Sequence, residues 1–222
     1  MNPCHKLLRA ALLLAAACTL QSCIYGAIHR DRCAALLTDG TEVAGKLKLP
    51  REQSDRIRIR PDRGPRRTIA ADSLGELRIW HRRTPERSYL LRRGRYLYYG
   101  LAQGGPTRSQ PGWFVSRAVG PHLSIYARSD GFEFGKDGRI VFRGTVCYLA
   151  YKPGFEAGVL IGTSASSRSS LRQSLLRLCA DDPELCALLE SGRMDPSDFR
   201  QVVEAYDPTD RPRPVHDGPL RI

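Results

Sequence analysis

The sequence predicts an α+β protein, mainly β: a small SH3-like barrel or curled sheet, a further antiparallel sheet, and short C-terminal helices. Two observations carry this. Short runs of alternating apolar and polar residues recur from Leu36 to Ile161, separated by Gly, Pro and Asp-Gly breaks, and such alternation turns one strand face to a core and the other to water. Beyond Ser164 the period lengthens to that of a helix, with Leu171, Leu175 and Leu178 on one face.

In chain order, residues 36–38 and 42–49 flank Asp39-Gly40, a dipeptide that favours a tight turn, and predict a hairpin. Arg56-Ile57-Arg58-Ile59-Arg60 alternates strictly, so a strand here buries two isoleucines and presents three guanidinium groups on its other face. Pro61-Asp62-Arg63-Gly64-Pro65 reads as a turn. Strands at 68–70 and 76–80 complete a small β domain over 36–86. Residues 87–163 continue as an antiparallel β region, with strands expected at 89–91, 96–99, 113–115, 123–126, 140–142, 146–151 and 159–161. Lys136-Asp137-Gly138-Arg139 predicts a hairpin turn, whereas 103–112 is too turn-rich to be ordered by propensity alone.

The helical region spans 164–207. Asp182-Pro183-Glu184 supplies an N-cap, a first-position proline and a first-turn acid; Leu185, Leu188 and Leu189 make the apolar stripe, and Gly192 stands just past its end. Asp195-Pro196-Ser197-Asp198 repeats the start signal before Phe199, Val202, Val203 and Tyr206. Residues 208–222 read as a flexible tail.

At the N-terminus Lys6 and Arg9 precede an apolar stretch from Ala10 to Leu20, the layout of a secretory signal peptide over residues 1–22. No apolar run of about 18 residues follows, which argues against a multispanning helical membrane protein. Leu20-Gln21-Ser22-Cys23 resembles the lipobox of bacterial lipoproteins. The resemblance implies cleavage before Cys23, a diacylglycerol on its thiol and an acylated amine, with residues 23–35 as anchor and tether. Ile24 in the next position implies, by the same resemblance, sorting to the outer membrane. The competing reading is plain signal cleavage after Ala15-Ala16-Ala17, which leaves Cys23 unmodified.

Four cysteines then remain in the body: Cys33, Cys147, Cys179 and Cys186. An even number in an oxidising compartment permits three pairings of two disulfides, none selected by the sequence, and buried thiols are the alternative. The formal net charge is +12, and it is unevenly spread. Residues 46–95 hold 16 Lys and Arg against 6 acids, while 171–207 hold 4 Arg against 8 acids, so the chain is electrically polarised along its length. Lys46, Lys48, Arg56, Arg58, Arg60, Arg66 and Arg67 are the candidate anionic-ligand face, because guanidinium groups bind phosphate and carboxylate well. The plainer use of such charges is a solvated strand face whose edges resist aggregation.

The sequence contains no Gly-x-Ser-x-Gly, His-Glu-x-x-His, Ser-x-x-Lys or P-loop. No metal site, catalytic residue or cofactor is expected. Two weaker constellations are a His122–Cys147 pair assembled in space and a metal at Asp181 and Asp182. Tyr96, Tyr98, Tyr99, Trp113 and Phe114 could stack on a glycan, but core packing is the ordinary use of such residues. Residues 37–47 are similar to the first half of an Sm-like motif; the second half is absent, so no nucleic-acid partner is expected.

Asp39-Gly40-Thr41, Gly45-Lys46-Leu47-Lys48-Leu49-Pro50 and Leu77-Arg78-Ile79-Trp80 resemble the opening of uncharacterised secreted and lipid-anchored envelope proteins of Bacteroides-like bacteria. Asp181-Asp182-Pro183-Glu184-Leu185 and Val202-Val203-Glu204-Ala205-Tyr206 are similar to their ending. That resemblance implies no activity and no site residue. The function expected is that of an outer-membrane or periplasmic lipoprotein, a non-catalytic binding or scaffold module. Its partners would be the membrane through lipid at Cys23 and an envelope protein or anionic glycolipid. The alternatives are an envelope hydrolase acting on glycan or peptide, and an Arg-rich face that binds anionic lipid or lipopolysaccharide.

Overall fold

The computed structural model describes residues 31–99 and 106–208. Five strands come first: β1 Asp31–Leu37, β2 Glu42–Leu47, β3 Arg56–Pro61, β4 Arg67–Ala70 and β5 Leu74–Trp80. Then follow β6 Ser88–Gly94, β7 Tyr96–Tyr99, β8 Pro106–Arg108, β9 Gly112–Val119 and β10 Ser124–Arg128. The hairpin β11 Gly131–Phe134 and β12 Ile140–Arg143 precedes β13 Cys147–Tyr151 and β14 Gly158–Thr163. Helices α1 Arg168–Leu178, α2 Pro183–Glu190 and α3 Phe199–Ala205 end the described chain. The signal segment, Cys23 and residues 209–222 lie outside it.

Twelve strands form one sheet in the order β4-β3-β2-β1-β5-β6-β9-β10-β13-β14-β7-β8. The first hairpin turns at Asp39-Gly40: Gly40 sits at φ +83, and the Asp39 carboxylate accepts from the Thr41 N–H at 2.8 Å. This turn sets the register, Leu36 opposite Glu42 and Arg32 opposite Lys46. The second half of the sheet closes on itself. β6 pairs with β9, and after Arg95 alone the same chain continues as β7 and pairs with β14 at the far side. The ring β6/β7, β9, β10, β13, β14 has an odd number of strands, so one pair must be parallel; it is β7 with β14.

Three cores result. The first lies on one face of β1 to β6, with Ile57, Ile59, Leu77 and Ile79 buried beside Trp113 and Val115 of β9. The hairpin β11–β12 covers it through Phe132, Phe134 and Phe142. The second fills the ring with Phe114, Tyr126, Leu149 and Tyr151. The third joins the outside of the ring to the helices through Ile125, Ala150, Ile161, Leu175, Leu189 and Val202. Trp113 and Phe114 are adjacent on β9 and point to opposite faces, as strand geometry requires, so β9 belongs to the first core and the ring alike.

The expected strands and helices are present, with extensions. β1 begins at Asp31, so residues 31–35 of the stretch read as tether are strand, with Cys33 and Ala35 buried. β8 has no period-two signal in the sequence, and β11, which alternates over Phe132-Glu133-Phe134, adds to the expected strands. One sheet runs unbroken from 36–86 into 87–163, and the first core draws on both stretches. The helix starts carry their caps: Ser167 Oγ accepts from Ser170 N–H, Asp182 Oδ1 from Leu185 N–H and Asp198 Oδ1 from Gln201 N–H. Among the described residues, no helix is long and apolar enough to cross a membrane.

Candidate functional site

On β3 the side chains of Ile57 and Ile59 enter the first core, which forces Arg56, Arg58 and Arg60 onto the outer face. On β2, Val43 and Leu47 point inward and Lys46 outward. The register places Lys46 directly opposite Arg60 on one side and Arg32 on the other. Lys48, just past β2, is exposed as well. Cations directly opposite one another on adjacent strands destabilise a sheet. Arg32 is relieved by a bidentate pair with Asp62, at 2.8 and 2.7 Å; this hydrogen bonding holds the Asp62 carboxyl below the usual carboxylate range. Arg56 reaches only Asp55, at 3.9 Å with both side chains exposed. Among the described residues, Lys46, Lys48, Arg58 and Arg60 make no ion pair within 4 Å.

The seven candidate cations therefore divide. Lys46, Lys48, Arg56, Arg58 and Arg60 form one exposed basic face. Arg66 lies in the β3–β4 connection. Arg67 stands opposite Ile59, so it leaves β4 on the core side and reaches solvent at the sheet edge. An inward-pointing charge on an edge strand blocks pairing with another chain, and this accounts for Arg67. It does not account for Lys46 or Arg60, because β2 and β3 are interior strands.

Two polar networks escaped the sequence reading. Arg128 on β10 has its side chain 12 % exposed; its Nε donates to Glu52 at 2.9 Å, and Nη1 donates to Ser109 Oγ and to the Gln110 carbonyl. Its guanidinium lies over Tyr96, 5.3 Å from the ring centre. With the Trp113 indole N–H donating to the Ser54 carbonyl at 2.8 Å, this pins the β2–β3 connection to the ring. In the C-terminal part, Lys152 Nζ donates to both Asp181 oxygens at 2.9 Å, and Tyr206 O–H donates to Asp181 Oδ2 at 2.7 Å. Burial opposes the Asp181 charge, but these donors outweigh it and hold the carboxyl below its ordinary range. Burial and the same carboxylate push the Tyr206 phenol up. Asp181 and Asp182 are thus a lysine partner and a helix cap, and no group of three or more His, Cys, Asp or Glu among the described residues could hold a metal ion.

The other candidates resolve into structural roles. His122 precedes β10, whereas Cys147 pairs with Arg128 at the far end of that strand; six residues of strand, about 20 Å, separate them, so they form no nucleophile–base pair. Trp113 and Phe114 are core residues, unavailable to a glycan, and Tyr96 packs on Phe114 with ring centres 6.4 Å apart. Cys33, Cys147 and Cys179 are thiols in or against three different cores, and the Cys186 thiol donates to the Cys179 carbonyl at 3.2 Å. Burial pushes the Cys33 and Cys179 thiols up to about 12. Compared with known proteins, the chain matches no protein-family model, no curated protein and no solved structure.

Proposed function

We propose that this protein is a lipid-anchored module of the bacterial cell envelope that binds rather than catalyses, tethered through Cys23 in the outer membrane, and that its basic sheet face contacts an anionic partner. The observation that carries the binding role is the row Arg60–Lys46 on two interior strands. A like-charge row costs stability, edge protection does not explain it, and among the described residues neither Arg60 nor Lys46 has an ion pair within 4 Å, Asp62 being engaged by Arg32 and acting on Lys46 only at longer range. An anion held there relieves the repulsion and is gripped by several donors at once. The lipid anchor rests on the lipobox resemblance at Leu20-Gln21-Ser22-Cys23; buried acyl chains contribute about 0.8 kcal/mol per methylene.

The test is envelope cross-linking of the native protein beside two variants. Cys23→Ala should leave the membrane fraction. Lys46→Glu/Arg60→Glu should stay in it yet lose its cross-linked partner, and raised salt should weaken the wild-type contact, because exposed charges are screened over about 8 Å at physiological ionic strength. A reversal variant that keeps every cross-link would overturn the basic-face reading. A nucleophile-directed probe that labels one residue stoichiometrically would overturn the non-catalytic one.

A further inference from the structure

We propose that the anionic partner of the basic face is the phospholipid headgroup surface of the bilayer that anchors the chain, so that the sheet stands on the membrane at the end where β1 begins. This names the partner of the face proposed above and rests on lipid at Cys23. Asp31, the first residue of β1, is eight residues past Cys23. A chain of that length spans at most about 28 Å. The tether therefore keeps the start of β1 close to the headgroups.

The same point of entry is the basic one. Asp31 lies opposite Leu47, so Lys46 and Lys48 flank the residue that faces it. Arg60 is the next strand over from Lys46, about 5 Å away in the hydrogen-bonding direction. Arg82 also lies near, close enough to lower the Asp31 carboxyl, which burial raises. The cations and the tether thus leave one end of the sheet together. The acid-rich helices pack on β9, β10 and β14 of the ring, with β5 and β6 intervening between β9 and β1 in the sheet. An anionic surface attracts the first end and repels the second, which orients the body. An acyl anchor with an adjacent basic cluster is the two-signal arrangement that fixes a protein on a charged bilayer.

The lysines report on this directly. The chain has five: Lys6 in the signal segment, Lys46 and Lys48 on the basic face, buried Lys152, and exposed Lys136 in the β11–β12 turn. The full protein extracted from its membrane is reconstituted in vesicles of phosphatidylcholine alone, or of phosphatidylcholine mixed with phosphatidylglycerol. It is then acetylated with a water-soluble amine reagent and read by mass spectrometry. Lys46 and Lys48 should react several-fold more slowly on the anionic vesicles than on the neutral ones, with Lys136 unchanged. Molar salt, or Arg58→Glu/Arg60→Glu, should abolish the difference. Flotation keeps the two readings apart. Protein that floats with neutral vesicles but shows equal lysine rates on both overturns the headgroup proposal and leaves the anchor standing, whereas protein that fails to float with neutral vesicles overturns the anchor and the proposal built on it. Equal protection of both lysines on neutral and anionic vesicles also overturns it, since some other surface then covers them.

Discussion

Replacing Lys152 by Met tests whether the C-terminal helices are locked to the ring by charge. The Lys152 side chain is 7 % exposed and that of Asp181 27 %. Met keeps the volume and the apolar stem but removes both 2.9 Å donors to Asp181. Breaking a fully buried ion pair costs about 3–5 kcal/mol. Asp181 keeps the Tyr206 hydroxyl and partial access to water, so exposure discounts the loss to about 2 kcal/mol. At a urea dependence of about 2 kcal/mol per molar, the midpoint falls by about 1 M. The assay is urea unfolding by far-UV circular dichroism, which reports the helices, beside tryptophan fluorescence, which reports Trp80 and Trp113. The sign of the pH effect follows from the direction of the shift. The folded Asp181 carboxyl lies below its unfolded value near 3.8, so its contribution is complete above that value and is lost as pH falls through the folded one. The gap between wild type and Lys152→Met should narrow in that acid range. An unchanged midpoint at pH 7, or a gap that stays constant into acid, would refute the charge lock.

Gly158→Ala should destabilise the ring closure, because a Cβ there would stand 2.6 Å from the Tyr151 ring; overpacking of this kind costs about 1–3 kcal/mol, readable as a lower melting temperature. Asp31→Asn should do the reverse near neutrality. Burial raises the folded Asp31 carboxyl to about 6, so its ionisation weakens the fold as pH rises from about 4 through 6. After discounting for partial exposure, the variant gains about 1 kcal/mol at pH 7, and the gain vanishes below pH 4. A thiol reagent at pH 8 should leave Cys33 and Cys179 unmodified until the protein unfolds, since both are fully buried and have thiols raised to about 12; rapid labelling of either in the folded protein would contradict the core assignments.

Much of the fold was legible because its signals are local. The Ile57–Ile59 alternation, the Asp39-Gly40 turn and the Asp182-Pro183 helix start each depend on a few neighbouring residues. The parallel pairing of Tyr96 with Gly158 was not legible, because strand partners distant in sequence leave no periodic trace. The Arg128–Glu52 bond joins residues 76 apart and was equally invisible. β8 lacks alternation because it is short and held by its partner β7, whereas β11 carried a legible signal in Phe132-Glu133-Phe134 that the expected strands omitted. For the basic face, period-two reasoning placed Arg56, Arg58 and Arg60 correctly. Arg67, opposite Ile59, leaves β4 on the core side, and Arg66 lies in the β3–β4 connection, where strand alternation does not apply. Arg32 could have been added from the sequence, since a hairpin centred on Asp39 brings it opposite Lys46.

How the chain meets the envelope is tested most directly by the mass of the N-terminal peptide from protein extracted out of native membranes. A lipid-anchored protein should begin at Cys23 and carry a diacylglycerol thioether and an acylated amine. A chain that begins after Ala17, or an unmodified Cys23 thiol, would contradict it: the basic face would then belong to a freely diffusing protein, and nothing would hold β1 at a membrane.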